Sequence, residues 1–363
     1  MSSVMIRLGI GAIAVALAAG CGSGSATKAG KAETPSGVVL RAAGFDDVPA
    51  VEYFRQRVAQ LSHGAVRVEI VDSWDNLKTD REQHWVSLVA DGTADLGWVN
   101  TWTFDTLGVT SLQALTAPML VDSYPLEQAV LASDIPGKML PGLATLKVTG
   151  LALLAEELRK PIAVAKPLVR PADWRGLEMA IARSRVKTDA LTGLGAVPVP
   201  AGWDDGPAFL RSGKVQAIET NLRRYSIQGL DFYAPYVTRN ANLWPGVIAL
   251  IANPGRLAKL SDQQRAWLDQ ATKEAAARAT ELAERAEPPL LASLCKRGVR
   301  FATASPSQLA ALRDAFAPAV QRLERDPETK AFVNQIMELK RSTPAAAAHP
   351  IPRACRAHTA ATP

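Results

Sequence analysis

The sequence has few of the residues that build metal sites or redox centres. Among its 363 residues there are three cysteines and four histidines. The histidines are scattered along the chain without the spacing of metal ligands, and no Cys-x-x-Cys pair occurs. We therefore predict neither a metal site nor a bound cofactor.

Signatures of common hydrolases and of repeat proteins are also missing. The chain has no Gly-x-Ser-x-Gly motif, and no segment recurs with a period of about 20 to 50 residues. Glu156 and Glu157 are paired carboxylates, but neighbouring residues of a strand face opposite sides and cannot act together as acid and base. The sequence does not favour an enzyme or a solenoid.

The folded part of the chain carries little net charge. The formal net charge of the whole sequence is +6, of which residues 1–37 and residues 342–363 contribute +2 each, so that residues 38–341 carry +2. A nearly balanced domain offers no electrostatic argument for nucleic-acid binding.

The N-terminus has the order of parts found in an export signal. Arg7 precedes an apolar run over residues 8–17, which is shorter than the roughly 20 residues that span a bilayer. The small residues 18–20 then lead into Cys21, and the segment resembles a bacterial lipobox. We expect a signal peptide over 1–20, a lipid on Cys21, a flexible tether over 21–37, and a protein anchored to the outer face of the cytoplasmic membrane. The alternative is an ordinary secretory signal with an incidental cysteine.

Cys295 and Cys355 remain after Cys21 is assigned to a lipid. The oxidising exterior would allow them to form a disulfide, and two independent thiols are the alternative.

Strands and helices alternate along most of the chain, which indicates an α/β fold. The predicted strands are 38–43, 66–71, 94–99, 161–164, 177–181, 195–200, 215–219 and 247–251. The predicted helices begin near residues 48, 80, 186 and 204, and Asp46 or Asp47 is the expected N-cap of the first.

Three helices follow the last of these strands. Ser261 to Gln264 has the form of a capping box and opens a long helix rich in Ala, Glu and Arg. We expect Pro288 and Pro289 to break or kink it. Two further helices are predicted over 307–323 and 327–340.

Several motifs resemble the solute-binding subunits of tripartite ATP-independent periplasmic (TRAP) transporters. They occur in the order of that family over about residues 38–340. They are Glu82 with Val86, Val89 and Gly92–Gly97; Leu112, Ala114 and Leu115 with Pro118–Leu120; Lys166-Pro167 with Pro171–Leu177; Leu194–Pro200; Gly213–Glu219; and Leu260–Arg265.

The resemblance implies a two-lobe periplasmic-binding-protein-like fold with a hinge and a long helix crossing both lobes. It implies that the protein captures a small solute between the lobes and delivers it to TRAP membrane permease subunits. The expected lobe I is 38–155 plus 245–285, and the expected lobe II is 156–244 plus 286–341. We expect a disordered tail over 342–363.

One position departs from the family. TRAP receptors usually carry an arginine four residues after a motif glycine that corresponds to Gly176 here, and this arginine pairs with the solute carboxylate. In this chain the position is occupied by Ala180. Arg183 could replace it, or could belong to a solvated basic face. With Asp46, Asp47, Glu156 and Glu219 near the cleft, the expected solute is neutral, polar or cationic, and a simple monocarboxylate is less favoured.

The ligand-binding residues that we predict combine strand-end aromatics with polar groups of the matching motifs. They are Phe45, Trp74, Trp98, Asn100, Trp102, Arg183, Glu219, Asn221 and Trp244. A lipoprotein receptor that signals to a partner protein without transport is the alternative function, and an exported enzyme is less favoured.

Overall fold

A mixed β-sheet connects two lobes. The computed structural model describes residues 37–71, 79–344 and 350–357. The strands of this part of the chain are β1 Val38–Ala43, β2 Val66–Ile70, β3 Leu96–Asn100, β4 Thr149–Ala163, β5 Glu178–Ile181, β6 Val197–Pro200, β7 Ala217–Thr220, β8 Tyr236–Thr238, β9 Trp244–Ala252 and β10 Arg300–Ala302.

Its α-helices range from five to 35 residues. They are α1 Pro49–Leu61, α2 Arg81–Ala90, α3 Tyr124–Ala132, α4 Ile135–Met139, α5 Arg185–Gly193, α6 Asp205–Ser212, α7 Leu222–Ile227, α8 Pro254–Lys259, α9 Asp262–Lys296, α10 Pro306–Leu323 and α11 Pro327–Ser342. No helix of the described residues is both long and apolar enough to cross a membrane.

The strand order is β2-β1-β3-β9-β4-β7-β5-β6, and β8 joins β4 to β10. In lobe I, β1 pairs in parallel with β2 and β3; in lobe II, β5 pairs in parallel with β6 and β7. The long strand β4 runs antiparallel to both β9 and β7, and therefore passes from one lobe into the other. Its pairing with β9 shifts between Glu156 and Arg159.

Two separate regions of apolar packing define the lobes. In lobe I, helix α1 buries Val51, Phe54 and Val58 in an apolar core that it shares with strand β2 and helix α9. In lobe II, two clusters form around β5, β7 and helices α5 and α7. Helix α9 contributes Leu268 to the first region and Leu294 to the second, so it crosses both lobes as expected.

Several local predictions are wrong. Helix α1 has Val48 at its N-cap position and not Asp46 or Asp47, because Pro49 starts the helix with its backbone already restricted to a helical angle. Pro288 and Pro289 do not break helix α9, which continues through them to Lys296. The strand predicted from residue 161 is the end of β4, which begins at Thr149.

The expected boundaries at the C-terminus also need correction. Helix α11 was assigned to lobe II, but it buries Phe332, Val333 and Ile336 in the apolar core of lobe I. Part of the tail expected to be disordered is ordered, since residues 350–357 include a 3₁₀ turn at Arg353–Cys355 and the backbone N–H of Ala357 donates to the carbonyl of Phe301 at 2.9 Å. Cys355 attaches this segment to lobe II through the side chain of Cys295.

Candidate functional site

A cavity of about 90 Å³ lies between the two lobes. Lobe I lines it with Phe45, which follows β1, and with Asn100 and Trp102 at the end of β3. Lobe II lines it with Ala180 of β5 and Glu219 of β7. Small-molecule sites in open α/β sheets commonly lie outside the carboxyl ends of parallel strands, where these residues are found.

Glu219 is fully buried and accepts hydrogen bonds from three side chains. Nε of Arg159 donates at 2.6 Å, Nζ of Lys187 at 2.9 Å and Nε1 of Trp244 at 3.1 Å. Burial by itself would raise the pKa of Glu219, but the charges of Arg159 and Lys187 and their hydrogen bonds outweigh it and lower the pKa. Glu219 is therefore an ionised carboxylate whose charge is already compensated inside the protein.

The indole of Trp102 is covered by the same two cations. Nζ of Lys187 lies 3.4 Å from its ring centroid, and the guanidinium carbon of Arg159 lies 4.8 Å from it. Burial lowers the pKa of Lys187 to about 7 in spite of the opposing charge of Glu219. These contacts hold Trp102 in place on the cavity wall.

Glu82, in the first turn of α2, organises the polar edge of lobe I. Its carboxylate accepts hydrogen bonds from the backbone N–H of Asn100 at 2.6 Å, from Nδ2 of Asn100 at 3.0 Å and from the hydroxyl of Thr103 at 3.0 Å. These hydrogen bonds to Glu82 set the orientation of the Asn100 side chain.

Phe45 is positioned from behind by Trp98. Nε1 of Trp98 donates to the carbonyl of Phe45 at 2.7 Å. The preceding residue must be Gly44, because a Cβ at that position would lie 2.1 Å from Nε1 of Trp98. The ring of Phe45 then packs edge-on against Trp85 with a centroid distance of 4.8 Å.

An arginine and an indole of lobe II meet Phe45 across the cavity. Trp203, in the loop between β6 and α6, has its ring centroid 6.1 Å from that of Phe45. The guanidinium carbon of Arg224, from α7, lies 4.0 Å from the centroid of Phe45 and 4.7 Å from that of Trp203. The two lobes are thus in contact at this edge of the cavity.

Three buried carboxyls accompany β4 where it passes between the lobes. Burial, together with the charges of Glu156 and Glu157, raises the pKa of Glu127 well above its usual range. Burial also raises the pKa of Glu156 to about 7 and that of Glu157, although Glu157 pairs with Nε of Arg223 at 2.6 Å. At neutral pH this cluster carries less negative charge than three ordinary glutamates would.

The structure places five of the predicted ligand-binding residues on the cavity wall. They are Phe45, Asn100, Trp102, Arg183 and Glu219. Arg183 is the exposed member of this set, and Glu219 forms the floor.

Three other predicted ligand-binding residues do not line the cavity. Trp98, Asn221 and Trp244 have no exposed surface. Each supports a lining residue: Trp98 positions Phe45, Trp244 holds Glu219, and Oδ1 of Asn221 accepts from the backbone N–H of Arg224 at 2.8 Å. Strands and the first turns of helices direct some side chains towards the protein interior, and the side chains of these three residues point that way.

The remaining predicted residues are the cysteines and one tryptophan. Cys295 and Cys355 form a disulfide with a Cα–Cα distance of 5.5 Å. Trp74 and Cys21 lie outside the described residues.

Sequence reasoning missed most of the positive charge at the site. Arg81, Arg159 and Arg224 line the cavity, and Lys187 lies directly behind it; the lining indole of Trp203 was missed as well. Arg159 could have been found, because it follows the apolar residues 151–155 of the same strand, and a charge buried in a strand is costly unless it has a partner and a role. For Arg224 the sequence offers no comparable signal, since it lies in a short helix with several polar residues.

The profile of a known family matches most of this chain. The bacterial extracellular solute-binding protein family 7 matches residues 42–326. The C4-dicarboxylate-binding periplasmic protein DctP of Rhodobacter capsulatus is 24% identical over 221 residues, which are 61% of this chain and 65% of that relative. The match thus spans slightly less than two thirds of the relative's length.

Solved structures share the fold. The sugar acid binding protein DctPAm of Advenella mimigardefordensis, in complex with galactonate, has a TM-score of 0.76 at 20% identity, with 85% of this chain and 99% of that chain covered. A TRAP periplasmic solute-binding protein from Roseobacter denitrificans with bound β-D-glucuronate has a TM-score of 0.73 at 21% identity, covering 82% and 98%. The predicted two-lobe α/β fold is confirmed by these likenesses. With the family profile spanning both lobes, the chain belongs to the bacterial extracellular solute-binding protein family 7.

Proposed function

We propose that this protein captures an acidic small molecule, of the sugar-acid class, between its lobes and delivers it to a TRAP-type membrane permease. The observation that carries the proposal is the excess of positive charge at the cavity. Four arginines line it, at positions 81, 159, 183 and 224, against two carboxylates.

Neither carboxylate is available to a cationic solute. Glu219 is paired with Arg159 and Lys187, and Glu82 accepts hydrogen bonds from Asn100 and Thr103. A carboxylate on the solute would reduce the repulsion between the lining guanidinium groups, whereas an amine would add to it. The proposal therefore replaces the neutral, polar or cationic solute that we expected from the alanine at position 180 and the acidic residues near the cleft.

The remaining lining groups suit a polyol. Gln83, Thr220 and Gln228 add amide and hydroxyl groups to the wall, and Trp102 and Trp203 add indole rings. A few placed polar groups among rings provide orientation and specificity for a small ligand. The galactonate and glucuronate in the two related structures combine a carboxylate with several hydroxyls in the same way.

A thermal-shift and calorimetry panel tests the proposal. The chain from residue 22 onward is expected to be stabilised by D-glucuronate, D-galacturonate or D-galactonate, because a ligand that binds only the folded state adds about 2.7 kcal/mol at a concentration 100 times its Kd. Glucose, galactose and glucosamine serve as matched controls without the carboxylate. Stabilisation by the controls alone, or by none of a wide set of acids at millimolar concentration, would contradict the proposal.

We also propose that Cys21 carries a lipid that keeps the protein at the membrane surface. The support is the order of Arg7, the short apolar run and the small residues before Cys21. A tethered receptor would stay close to its permease.

The Cys21→Ala variant is expected to move from the membrane fraction to the soluble exported fraction, since a single hydrophobic attachment is removed. Immunoblots of fractionated cells measure the change, with Ser25→Ala as a control that leaves the cysteine and the disulfide intact. Unchanged membrane retention of Cys21→Ala would exclude the lipid anchor.

A further inference from the structure

The position that usually carries the carboxylate-binding arginine is closed to that role here. Ala180 lies in β5, lines the cavity and has no exposed surface. Its methyl group donates no hydrogen bond. If the solute is an acid, as the proposed function states, another cation must bind its carboxylate.

Arg224 is packed against aromatic rings at the cavity wall. Its backbone N–H is capped by Asn221, and its side chain is only 9% exposed. The rings of Phe45 and Trp203 lie within 5 Å of the guanidinium carbon, at 4.0 Å and 4.7 Å. Such packing restricts a long side chain to one orientation and reduces the entropy lost when a ligand binds.

Two donors of Arg224 are buried and unused. Within the described part of the chain, Nε and Nη2 have no hydrogen-bond partner. The carboxylate paired with Arg224 is that of Glu156, whose oxygen is 3.7 Å from Nε and thus beyond hydrogen-bond distance. Because burial raises the pKa of Glu156 to about 7, its charge only partly compensates that of Arg224 at neutral pH. Buried charged donors without acceptors are costly, and a ligand carboxylate would supply the acceptors.

The other lining cations are less suited to the role. Arg159 already uses Nε and Nη2 on the carboxylate and carbonyl of Glu219. Arg183 is exposed at the edge of the cavity, where side-chain freedom and water weaken a charge pair.

A second cation faces the same rings from the opposite lobe. The guanidinium carbon of Arg81, at the start of α2, lies 4.8 Å from the ring of Phe45 and 5.8 Å from that of Trp203. Two guanidinium groups that share a pair of rings repel each other, and an anion bound beside them reduces that repulsion. Binding at this point would therefore connect lobe II, through Arg224, with lobe I, through Phe45 and Arg81.

We propose that Arg224 binds the solute carboxylate through Nε and Nη2, in place of the arginine that is absent at position 180, and so determines the preference for acids. The inference rests on the proposed function. A planar guanidinium that offers two parallel donors matches a carboxylate in geometry as well as in charge.

Isothermal titration of each D-sugar acid and of its uncharged amide tests the role of Arg224. The wild-type protein is expected to bind the acid about 10 to 100 times more tightly than the amide, the range for a charge-assisted hydrogen bond. Arg224→Gln is expected to weaken acid binding by about that factor and amide binding by less than about threefold, so that the ratio approaches one. Arg224→Lys retains the charge without the paired donors and should give an intermediate ratio.

The matched control is Arg185→Gln, which removes an exposed cation of the same lobe that does not line the cavity and should change the ratio by less than about threefold. General misfolding lowers both affinities and leaves the ratio unchanged, so the ratio reports on Arg224 itself. A wild-type ratio retained in Arg224→Gln would overturn this inference alone. Failure of the wild-type protein to bind any acid would overturn the proposed function and this inference with it.

Discussion

Glu219→Gln is expected to lower the free energy of unfolding by about 3–5 kcal/mol, the usual effect of breaking a buried ion pair from one side. Glutamine keeps the size of the side chain but removes the charge that compensates Arg159 and Lys187, both of which are buried. Arg159 loses its counter-charge. The variant should also bind solute more weakly, since the same contacts hold Arg159 and Trp102 at the cavity.

The effect of Glu219→Gln should depend on pH. The pKa of Lys187 is about 7 in the folded protein, below its ordinary value of 10.5. The unfolded chain therefore binds this proton more tightly. As a result, the contribution of Lys187 to the stability of the wild-type protein rises between about pH 7 and pH 10.5. Loss of Glu219 lowers the folded-state pKa further. The stability difference between the two proteins should therefore grow as the pH falls through 7.

Urea unfolding at pH 6.0 and pH 8.5 measures both effects. Glu69→Gln is the matched control, because Glu69 is an exposed residue of β2 whose side chain is 57% accessible, and a change within about 0.5 kcal/mol is expected there. A loss below about 1 kcal/mol for Glu219→Gln at both pH values would show that the buried network is not required for stability.

Removing the disulfide between Cys295 and Cys355 is expected to have an effect of similar size. The bond closes a loop with a sequence separation of 60, and loop-closure entropy predicts a contribution of about 4 kcal/mol. It also attaches residues 350–357, where Ile351 and Cys355 are buried in the apolar cluster of lobe II. The Cys295→Ser/Cys355→Ser variant should unfold at correspondingly lower urea concentration.

Solute affinity should change little in that variant, because neither cysteine lines the cavity. The control is the reducing agent itself: dithiothreitol should lower the stability of the wild-type protein towards that of the double variant and should leave the double variant unchanged. Equal stability of the oxidised wild-type protein and the double variant would refute the prediction.

The sequence predicted the alternating elements well where each element carries its own signal. The spacing of Val51, Phe54 and Val58 indicated α1, and the capping box at Ser261 located the start of α9. The errors occur where packing against another element, and not the local sequence, decides whether a helix or strand continues. Helix α9 passes Pro288 and Pro289 while it packs Leu291 and Leu294 into lobe II, so tertiary packing offsets the cost of proline in the helix.

For the site as well, the predictions succeeded where the signal was local and failed where neighbouring elements decided the outcome. Phe45, Asn100 and Trp102 were identified because they follow strands whose carboxyl ends meet at one edge of the sheet. We expected Trp98 and Trp244 at strand ends as well, but Trp98 lies inside β3 and Trp244 is the first residue of β9. Both side chains point inward, because alternate residues of a strand face opposite sides.

By itself, the amino-acid sequence determined the α/β class, the extent of most helices and strands, and the absence of an arginine at position 180. Those properties depend on local periodicity, capping and residue identity. Only the tertiary structure decided which charges meet at the cavity: β4 brings Arg159 to Glu219, and the contact of α7 with Phe45 of lobe I places Arg224 beside Arg81. The physical reason is that burial and pairing depend on side chains that lie far apart along the chain, and local sequence does not specify their separation in space.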